Sequence, residues 1–471
     1  MLNDESPKSA EEVPLQAQSE VTEISSNPFS DKKSVSKAGI FAAVIILLVI
    51  GGVAVFAARK SKTNSTDSVQ ASPTLGASMT PGQGSQGVAV PPSGAISDVD
   101  NTLPSCGANP LLHTVPLADD HLLDVSPLGN INPPGHTVPS DHIGLGLTVV
   151  TTPSSDTNQP GNAKSTTIQA SVFAPADITI FKIHAQTVTE NGKSNSDYSI
   201  FYHPCREVTM YNNHIPVLNT DLMSFMTAHK SEATCQTQAN TGSTTNEFCD
   251  YAITYKAKEG AVLGTAGGAG QATVGIDYGL YDTRTTPLAY LNTELAKTAQ
   301  STEILHSACP IDYYPADIQA MLYAKLDQTG TKSDHPSCGT IMQDKAGTVQ
   351  GNWYVKGSAL ENWPTVFAVL HNSTDASVGV VSIGGTIADP GMIRFNVAKT
   401  GTTNLEPSLT QAGTLYCYTT NIAGPNGTVS ATNQVLLQLS ADGTLQAEDQ
   451  AGNCTGSLAF KSPTTYTRNA H

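Results

Sequence analysis

Hydrophobic and polar residues alternate in short runs over most of the chain beyond residue 106. The clearest runs in its first half are 166–174, 177–188, 197–204 and 207–215. An alternation with a period of two is typical of β-strands that bury one face. Asn191-Gly192 and Asp442-Gly443 indicate hairpins, because these dipeptides adopt the positive φ angles of tight turns. The pattern predicts a mainly β protein.

Two segments depart from this alternation. Residues 286–307 and 315–326 are predicted helices, and the second opens with Pro315, which suits the first turn of a helix. We place a boundary between two β domains here. The first is expected at 106–310 and the second, a β-barrel or a β-sandwich, at 311–471.

One continuous apolar stretch precedes the β region. Ala38–Ala58 is 21 residues long and carries no charge, which is enough for a helix that crosses a membrane. A cleaved signal peptide has a short leader and an apolar region of only about 7–15 residues, whereas 37 residues precede this stretch. We therefore expect a single transmembrane helix at 38–58. The polar residues 1–37 are expected to be a disordered tail, and 59–105, rich in Ser, Thr, Pro and Gly, a stalk.

The cysteines indicate which side of the membrane the β domains occupy. All of them follow the apolar stretch, and their number is even: 106, 205, 235, 249, 309, 338, 417 and 454. This is expected in an oxidising compartment, so we place the tail in the cytoplasm and the two β domains outside the cell membrane. Proximity in the sequence favours the bridges Cys235–Cys249, Cys309–Cys338 and Cys417–Cys454. Cys106 and Cys205 are left to pair with each other or to stay free.

Charge and composition exclude some functions. The formal net charge is −16 and the pI is about 5.1, which argues against a nucleic-acid partner because phosphate binding needs clustered Lys and Arg. The G-x-S-x-G, H-E-x-x-H and C-x-x-C motifs are absent from the sequence. Common hydrolase, zincin and thiol-redox functions therefore lack support.

The stretch NPPGHTVPSDHIGLGL, residues 132–147, is a candidate for metal binding. It contains His136, Asp141 and His142. Such residues bind a metal only if the fold brings enough ligands together. The structural alternative is a rigid proline-rich loop. Asp141 and His142 would also point to opposite faces of an extended strand, which would separate them.

Three segments together resemble the M23 (LytM-type) zinc peptidases. DHIGLGL (141–147) is similar to the family's H-x-G-x-D motif, TMYNNHI (209–215) to its Tyr-x-His-Leu segment, and 256–282 to its Gly-rich run followed by H-x-H. The resemblance covers roughly residues 125–285. It implies a compact antiparallel β fold and cell-wall endopeptidase ancestry, with His142 as a zinc ligand and His214 as an active-site histidine.

The resemblance breaks down at the expected zinc ligands. Gly146 stands where the family has its aspartate, and Gly275 and Asp277 stand where it has the H-x-H histidines. Family members that have lost zinc ligands act as non-catalytic partners. The leading hypothesis is therefore a binding or scaffold protein of a prokaryotic envelope, with a cell-wall component or an envelope protein as its partner and no cofactor.

The alternative is a zinc metallopeptidase with a rebuilt site. Its zinc ligands would be His142, Asp277 and one of His136 or Asp141, and His214 would stabilise the tetrahedral intermediate.

The C-terminal part shows a second, shorter similarity. Gly351-Asn352-Trp353 is similar to the Gly-x-Trp strand of lipocalin-like (calycin) barrels, and Arg468 lies where such barrels place an arginine against that tryptophan. The resemblance implies a barrel closed by a cation–π contact. A plain sandwich with a core tryptophan is the alternative. An open barrel would make a small-ligand carrier a further candidate function.

Overall fold

The computed structural model describes residues 102–152, 164–239, 244–268, 275–294, 303–326, 338–358, 363–422 and 433–469. The tail, the predicted transmembrane segment and nearly all of the stalk lie outside these ranges. Within them, no helix is long and apolar enough to cross a membrane.

The described part of the chain up to residue 282 forms strands with two short helical insertions. In chain order the strands are β1 (Leu122–Ser126), β2 (His142–Leu147), β3 (Val149–Thr152), β4 (Lys164–Thr167), β5 (Gln169–Phe173), β6 (Ile178–Glu190), β7 (Lys193–Cys205), β8 (Val208–Ile215), β9 (Val217–Leu218), β10 (Thr234–Ala239), β11 (Thr244–Ala257), β12 (Val262–Gly267) and β13 (Gly275–Asp282). Helix α1 (Thr220–Ala228) and a 3-10 turn (Lys230–Glu232) lie between β9 and β10.

The largest sheet of this half has the order β1-β2-β13-β8-β7-β6-β11-β10, with all neighbours antiparallel. A smaller sheet has the order β5-β12-β9, and β3 pairs with β4. One face of the large sheet lies on a hydrophobic core that includes Ile143, Ile183 and Leu280. The opposite face, here called the outer face, carries polar and aromatic side chains. Asn191 (φ 51°) and Gly192 (φ 77°) form the predicted turn between β6 and β7.

The second half forms one nearly closed antiparallel barrel. Its strands are β14 (Gly351–Val355), β15 (Val366–His371), β16 (Val378–Ile383), β17 (Gly391–Asn396), β18 (Leu415–Thr419), β19 (Asn433–Leu439), β20 (Leu445–Ala451) and β21 (Thr464–Thr467). Among the described residues the strand order is β17-β16-β15-β14-β21-β20-β19-β18. The prediction of a mainly β protein is confirmed, and of the two forms predicted for the C-terminal part, the barrel is the one found. The Asp442-Gly443 hairpin joins β19 to β20 as predicted.

Trp353 and Arg468 meet at one end of this barrel. The Arg468 guanidinium carbon lies 3.7 Å from the centroid of the Trp353 ring, and Trp353 is 1% exposed. Arg468 also donates to backbone oxygens of β14 and the turn before it, among them Gln350 O at 2.6 Å. Gly351 has a φ of 122°, and a Cβ there would lie 2.4 Å from Nη1 of Arg468. The Gly-x-Trp spacing therefore has a physical reason, since only glycine admits both this backbone angle and the arginine.

The two halves are connected by a helical segment. Helix α2 (Ala316–Lys325) confirms the second predicted helix, and a 3-10 turn (Pro310–Tyr313) precedes it. Further 3-10 turns lie at Trp363–Thr365 and Pro407–Leu409. Ile311, Leu322 and Ile341 belong to the core of the first half although they follow the predicted boundary at 310.

The first predicted helix, 286–307, is wrong over its opening part. Residues 286–292 are not helical. Their backbone N–H groups bond outside a helix: Leu288 N donates to Leu305 O at 2.7 Å and Leu291 N to Asp344 Oδ2 at 2.8 Å. These tertiary hydrogen bonds outweigh the local helical preference. Residues 295–302 lie outside the described ranges.

The cysteines form four disulfides, and the described chain contains no free thiol. The three bridges favoured by the sequence are present: Cys235–Cys249, Cys309–Cys338 and Cys417–Cys454. Cys106 and Cys205, for which the sequence left two possibilities, are bonded to each other.

Candidate functional site

The outer face of the large sheet brings the predicted site residues together. His142 opens β2, Asp277 lies on β13 and His214 on β8, and these three strands are adjacent in the sheet. His136 and Asp141 come from the proline-rich loop that leads into β2. The rings of His136 and His142 make an edge contact with 5.0 Å between centroids. All five candidates therefore belong to one cluster.

Asp277 is the centre of the cluster. Its Oδ1 lies 3.4 Å from His142 Nε2, and its Oδ2 lies 3.2 Å from His214 Nε2. Asn213 Nδ2 donates to the same Oδ2 at 3.3 Å. Asp277 thus bridges the two histidines across three strands.

The Nδ1 atoms of these two histidines also face carboxylates. His142 Nδ1 lies 3.2 Å from Asp141 Oδ1, and His214 Nδ1 lies 2.8 Å from Asp197 Oδ2 on β7. The result is an alternating series of acids and bases, here called the His–Asp chain, that runs Asp141, His142, Asp277, His214, Asp197. The prediction that Asp141 and His142 point apart is wrong, because β2 begins at His142 and Asp141 still belongs to the loop.

Two tyrosines donate hydrogen bonds to Asp141, at one end of the His–Asp chain. Tyr211 donates to Asp141 Oδ1 at 3.0 Å and lies 3.0 Å from His142 Nδ1, while Tyr281 donates to Asp141 Oδ2 at 2.5 Å. Gly279 lies between His142 and Tyr211 in register. A Cβ at Gly279 would lie 2.0 Å from the Tyr211 ring, so a glycine is needed for this ring to reach the cluster.

His214 takes its position through an irregular backbone. It has a φ of 66°, and the pairing of β7 with β8 shifts between Tyr198 and Ile200. Such a bulge can direct two consecutive side chains to one face, as observed for Asn213 and His214, which both contact Asp277. A non-glycine residue with a positive φ angle is strained, and strained residues are concentrated at functional sites.

Burial and charge set the protonation of the His–Asp chain. Burial lowers the pKa of His214, but the hydrogen bonds to Asp197 and Asp277 outweigh it and raise the pKa to about 10. His142 shows the same balance: burial lowers its pKa, but the charge of Asp277 and the hydrogen bond to Asp141 raise it above its usual value. Burial raises the pKa of Asp277, but the two histidines lower it well below its usual range. These shifts favour the imidazolium form of both histidines.

His136 has the opposite protonation. Burial, followed by repulsion from His142, lowers its pKa to about 4. His136 is therefore a neutral imidazole beside a charged one, and its protonation would add a third cation to the cluster.

We expect the stability of the protein to fall as the pH rises from about 7 to 10, with His214 as one cause. Its pKa of about 10 in the folded state exceeds the usual 6.5, so its contribution is complete below pH 6.5 and is lost as the pH approaches 10. The slope from one such group is at most about 1.4 kcal/mol per pH unit. Denaturant unfolding of the wild type and of His214→Gln between pH 8.5 and 9.5 measures this slope, in a range above the pKa of about 8 of the half-buried Glu303. Equal slopes for the two proteins would contradict the prediction.

The donor set of the cluster does not fit the zinc ion that the M23 resemblance implies. Zinc binds an imidazole nitrogen through a free lone pair. All four ring nitrogens of His142 and His214 face carboxylate oxygens, which favours protons on them. Within the part of the chain that the structure describes, no group of three or more His, Cys, Asp or Glu side chains is arranged to hold a metal ion.

Several residues of the cluster escaped the sequence analysis. Asp197, Tyr211 and Tyr281 are separated along the chain, and only the strand order brings them together. Asp124 on β1 lies over Gly146, the position at which the M23 resemblance led us to expect an aspartate. A Cβ at Gly146 would lie 2.0 Å from Asp124 Oδ1.

The barrel also touches the loop that supplies part of the cluster. Val138, between His136 and Asp141, packs on Tyr354 and Val366. The loop is thus held between the large sheet and the barrel.

Comparisons of this chain with protein-family models, with curated proteins and with solved structures find no match. The site itself is therefore the basis for the proposed function.

Proposed function

We propose that this protein is a membrane-anchored, extracytoplasmic binding or scaffold protein whose outer sheet face binds a partner without catalysing its hydrolysis. The observation that carries the proposal is the His–Asp chain. Both ring nitrogens of His142 and of His214 are engaged by carboxylates. Releasing a histidine for zinc at neutral pH would cost about 1.4 kcal/mol for each pH unit between the ambient pH and the pKa of the histidine.

The disulfides support a location outside the cell membrane. Four disulfides in one chain are expected where thiols are oxidised. The predicted helix at 38–58 and the stalk at 59–105 would hold the two halves at the membrane surface. The M23 resemblance points to a prokaryotic envelope, and hence to a cell-wall component or an envelope protein as partner.

The barrel fits a scaffold better than a carrier of small ligands. Its inward side chains form one contiguous buried cluster that includes Trp353, Phe367 and Tyr418. A barrel filled in this way by large side chains resembles a packed core. We infer a structural role for its Trp353–Arg468 pair, in which the guanidinium lies over the ring.

The test uses full-length protein in detergent and purified peptidoglycan as the probe. We expect peptidoglycan to retain the protein in a sedimentation assay, the stem peptides to stay uncleaved, and elemental analysis without added chelator to find far less than one zinc per chain. Loss of retention with His214→Gln, but not with the surface variant Asp177→Asn, would place binding at the cluster. Failure to bind peptidoglycan or any envelope protein would contradict the proposal.

The second candidate function is a zinc metallopeptidase. The observation that favours it is that His142 and His214 each direct Nδ1 to a carboxylate, which is usual for metal-bound histidines. Stoichiometric zinc that is lost in His142→Ala, together with peptide cleavage, would replace the binding proposal with this one.

A further inference from the structure

The outer face continues beyond the His–Asp chain to a second histidine–carboxylate pair. His184 on β6 lies in register with Ser199 of β7 on one side and with Asp250 of β11 on the other. His184 Nδ1 lies 2.7 Å from Asp250 Oδ1. An ionised carboxylate only accepts hydrogen bonds, so Asp250 selects the His184 tautomer with the proton on Nδ1, and in this tautomer Nε2 has a lone pair.

Three buried acceptor atoms on this face lack a hydrogen-bond partner among the described residues. They are Asn213 Oδ1 on β8, Asp197 Oδ1 on β7 and His184 Nε2 on β6. We call these three residues the acceptor strip. Their other polar atoms are engaged, by Asp277, His214 and Asp250 respectively. The side chain of His184 is only 5% exposed, so its free nitrogen is held in a desolvated position.

Buried polar atoms without a partner are rare in folded proteins, because each loses its hydrogen bonds to water. Three of them on three consecutive strands call for a ligand with several hydrogen-bond donors. Two steps between neighbouring strands span about 10 Å, which corresponds to about three residues of extended peptide.

The carboxylate of Asp197 indicates a cationic ligand. Its Oδ2 lies 2.8 Å from His214 Nδ1, and its Oδ1 has no donor among the described residues. An ammonium group would give this oxygen a charge-assisted hydrogen bond. Lys182, two residues before His184 on β6, does not supply that donor, because its ammonium lies over the Phe201 ring, 4.0 Å from the ring centroid.

We propose that the acceptor strip binds a short extended peptide that presents a primary ammonium group to Asp197. The backbone N–H groups of the peptide would donate to Asn213 and His184. This inference rests on the proposed binding function and names the chemistry of its ligand. A polyhydroxyl chain such as an oligosaccharide also offers donors, but it would leave the charge of Asp197 unmatched.

The test is isothermal titration of full-length protein in detergent with three probes: the tripeptide amide Lys-Gly-Gly, the same peptide with both amines acetylated, and chitotriose. We expect the free-amine peptide to bind at least about tenfold more tightly than the acetylated one, as for a charge-assisted hydrogen bond in a partly buried site. Asp197→Asn should abolish this preference, because it keeps the shape of the side chain and removes its charge. His184→Gln should weaken the binding of both peptides severalfold.

Asp177→Asn is the matched control, since Asp177 forms an exposed pair with Lys258 away from this face. It should leave the binding of all three probes unchanged. Thermal unfolding of each variant separates loss of binding from loss of folding. Equal binding of the two peptides, preference for chitotriose or no binding of any probe would each overturn the inference. If peptidoglycan retention persists in such a case, the proposed binding function stands and only the ligand assignment fails.

Discussion

Replacing Asp277 with alanine is expected to lower the free energy of unfolding by about 3–5 kcal/mol, the usual cost of removing one partner from a buried ion pair. Asp277 lies between His142 and His214, and its side chain is 21% exposed. Without it, two imidazolium ions would face each other in a largely desolvated site. Urea unfolding at pH 7, followed by circular dichroism, measures the change.

A double-variant comparison separates this electrostatic cause from simple loss of packing. In a background of His142→Gln and His214→Gln, the same Asp277→Ala change should cost much less, because the unpaired cations are absent. Asp177→Ala, which removes an exposed aspartate, is the surface control and should have little effect. An equal cost in both backgrounds would show that the His–Asp chain does not stabilise this face.

Replacing Trp353 with alanine is expected to cost about 3–5 kcal/mol through the cavity left in the barrel. Trp353 is 1% exposed, its Nε1 donates to Val349 O at 2.8 Å and its ring lies against Arg468. The variant would also leave the Arg468 guanidinium without its aromatic partner. The measurement is the decrease in the midpoint of thermal unfolding.

Trp353→Phe is the matched control for this prediction. It keeps most of the buried ring and loses the Nε1 hydrogen bond, so we expect a clearly smaller destabilisation than for alanine. A Trp353→Ala protein that unfolds within about 1 °C of the wild type would mean that this tryptophan does not hold the barrel together.

The fold class could be predicted because strand patterns are local. Alternation along β6 and β7 and the Asn191-Gly192 turn define a hairpin without knowledge of any other segment. The bridge Cys235–Cys249 was also predictable, since the two cysteines face each other across neighbouring strands close in sequence. The non-helical conformation of residues 286–292 could not be predicted, because the competing hydrogen-bond partners Leu305 and Asp344 lie farther along the chain.

The candidate site, like the fold, could be predicted only in part. Inspection of the sequence identified His136, Asp141, His142, His214 and Asp277 from residue type and motif position. It did not identify Asp197 or Tyr211, which join the cluster only through the strand order and the bulge between β7 and β8. It also treated Asp141 and His142 as divergent, whereas the start of β2 at His142 lets the two side chains meet.

The sequence by itself determined that this chain is mainly β, favoured the three short-range disulfides and supplied the residue types that could form a site. Only the tertiary structure decided that His142 and His214 share Asp277 and that the Nδ1 atom of each also faces a carboxylate. The physical reason is the distance along the chain over which each effect acts. Alternation and turn preference act over a few residues, whereas the protonation of a histidine depends on charges within a few ångströms that the sheet brings from distant parts of the chain.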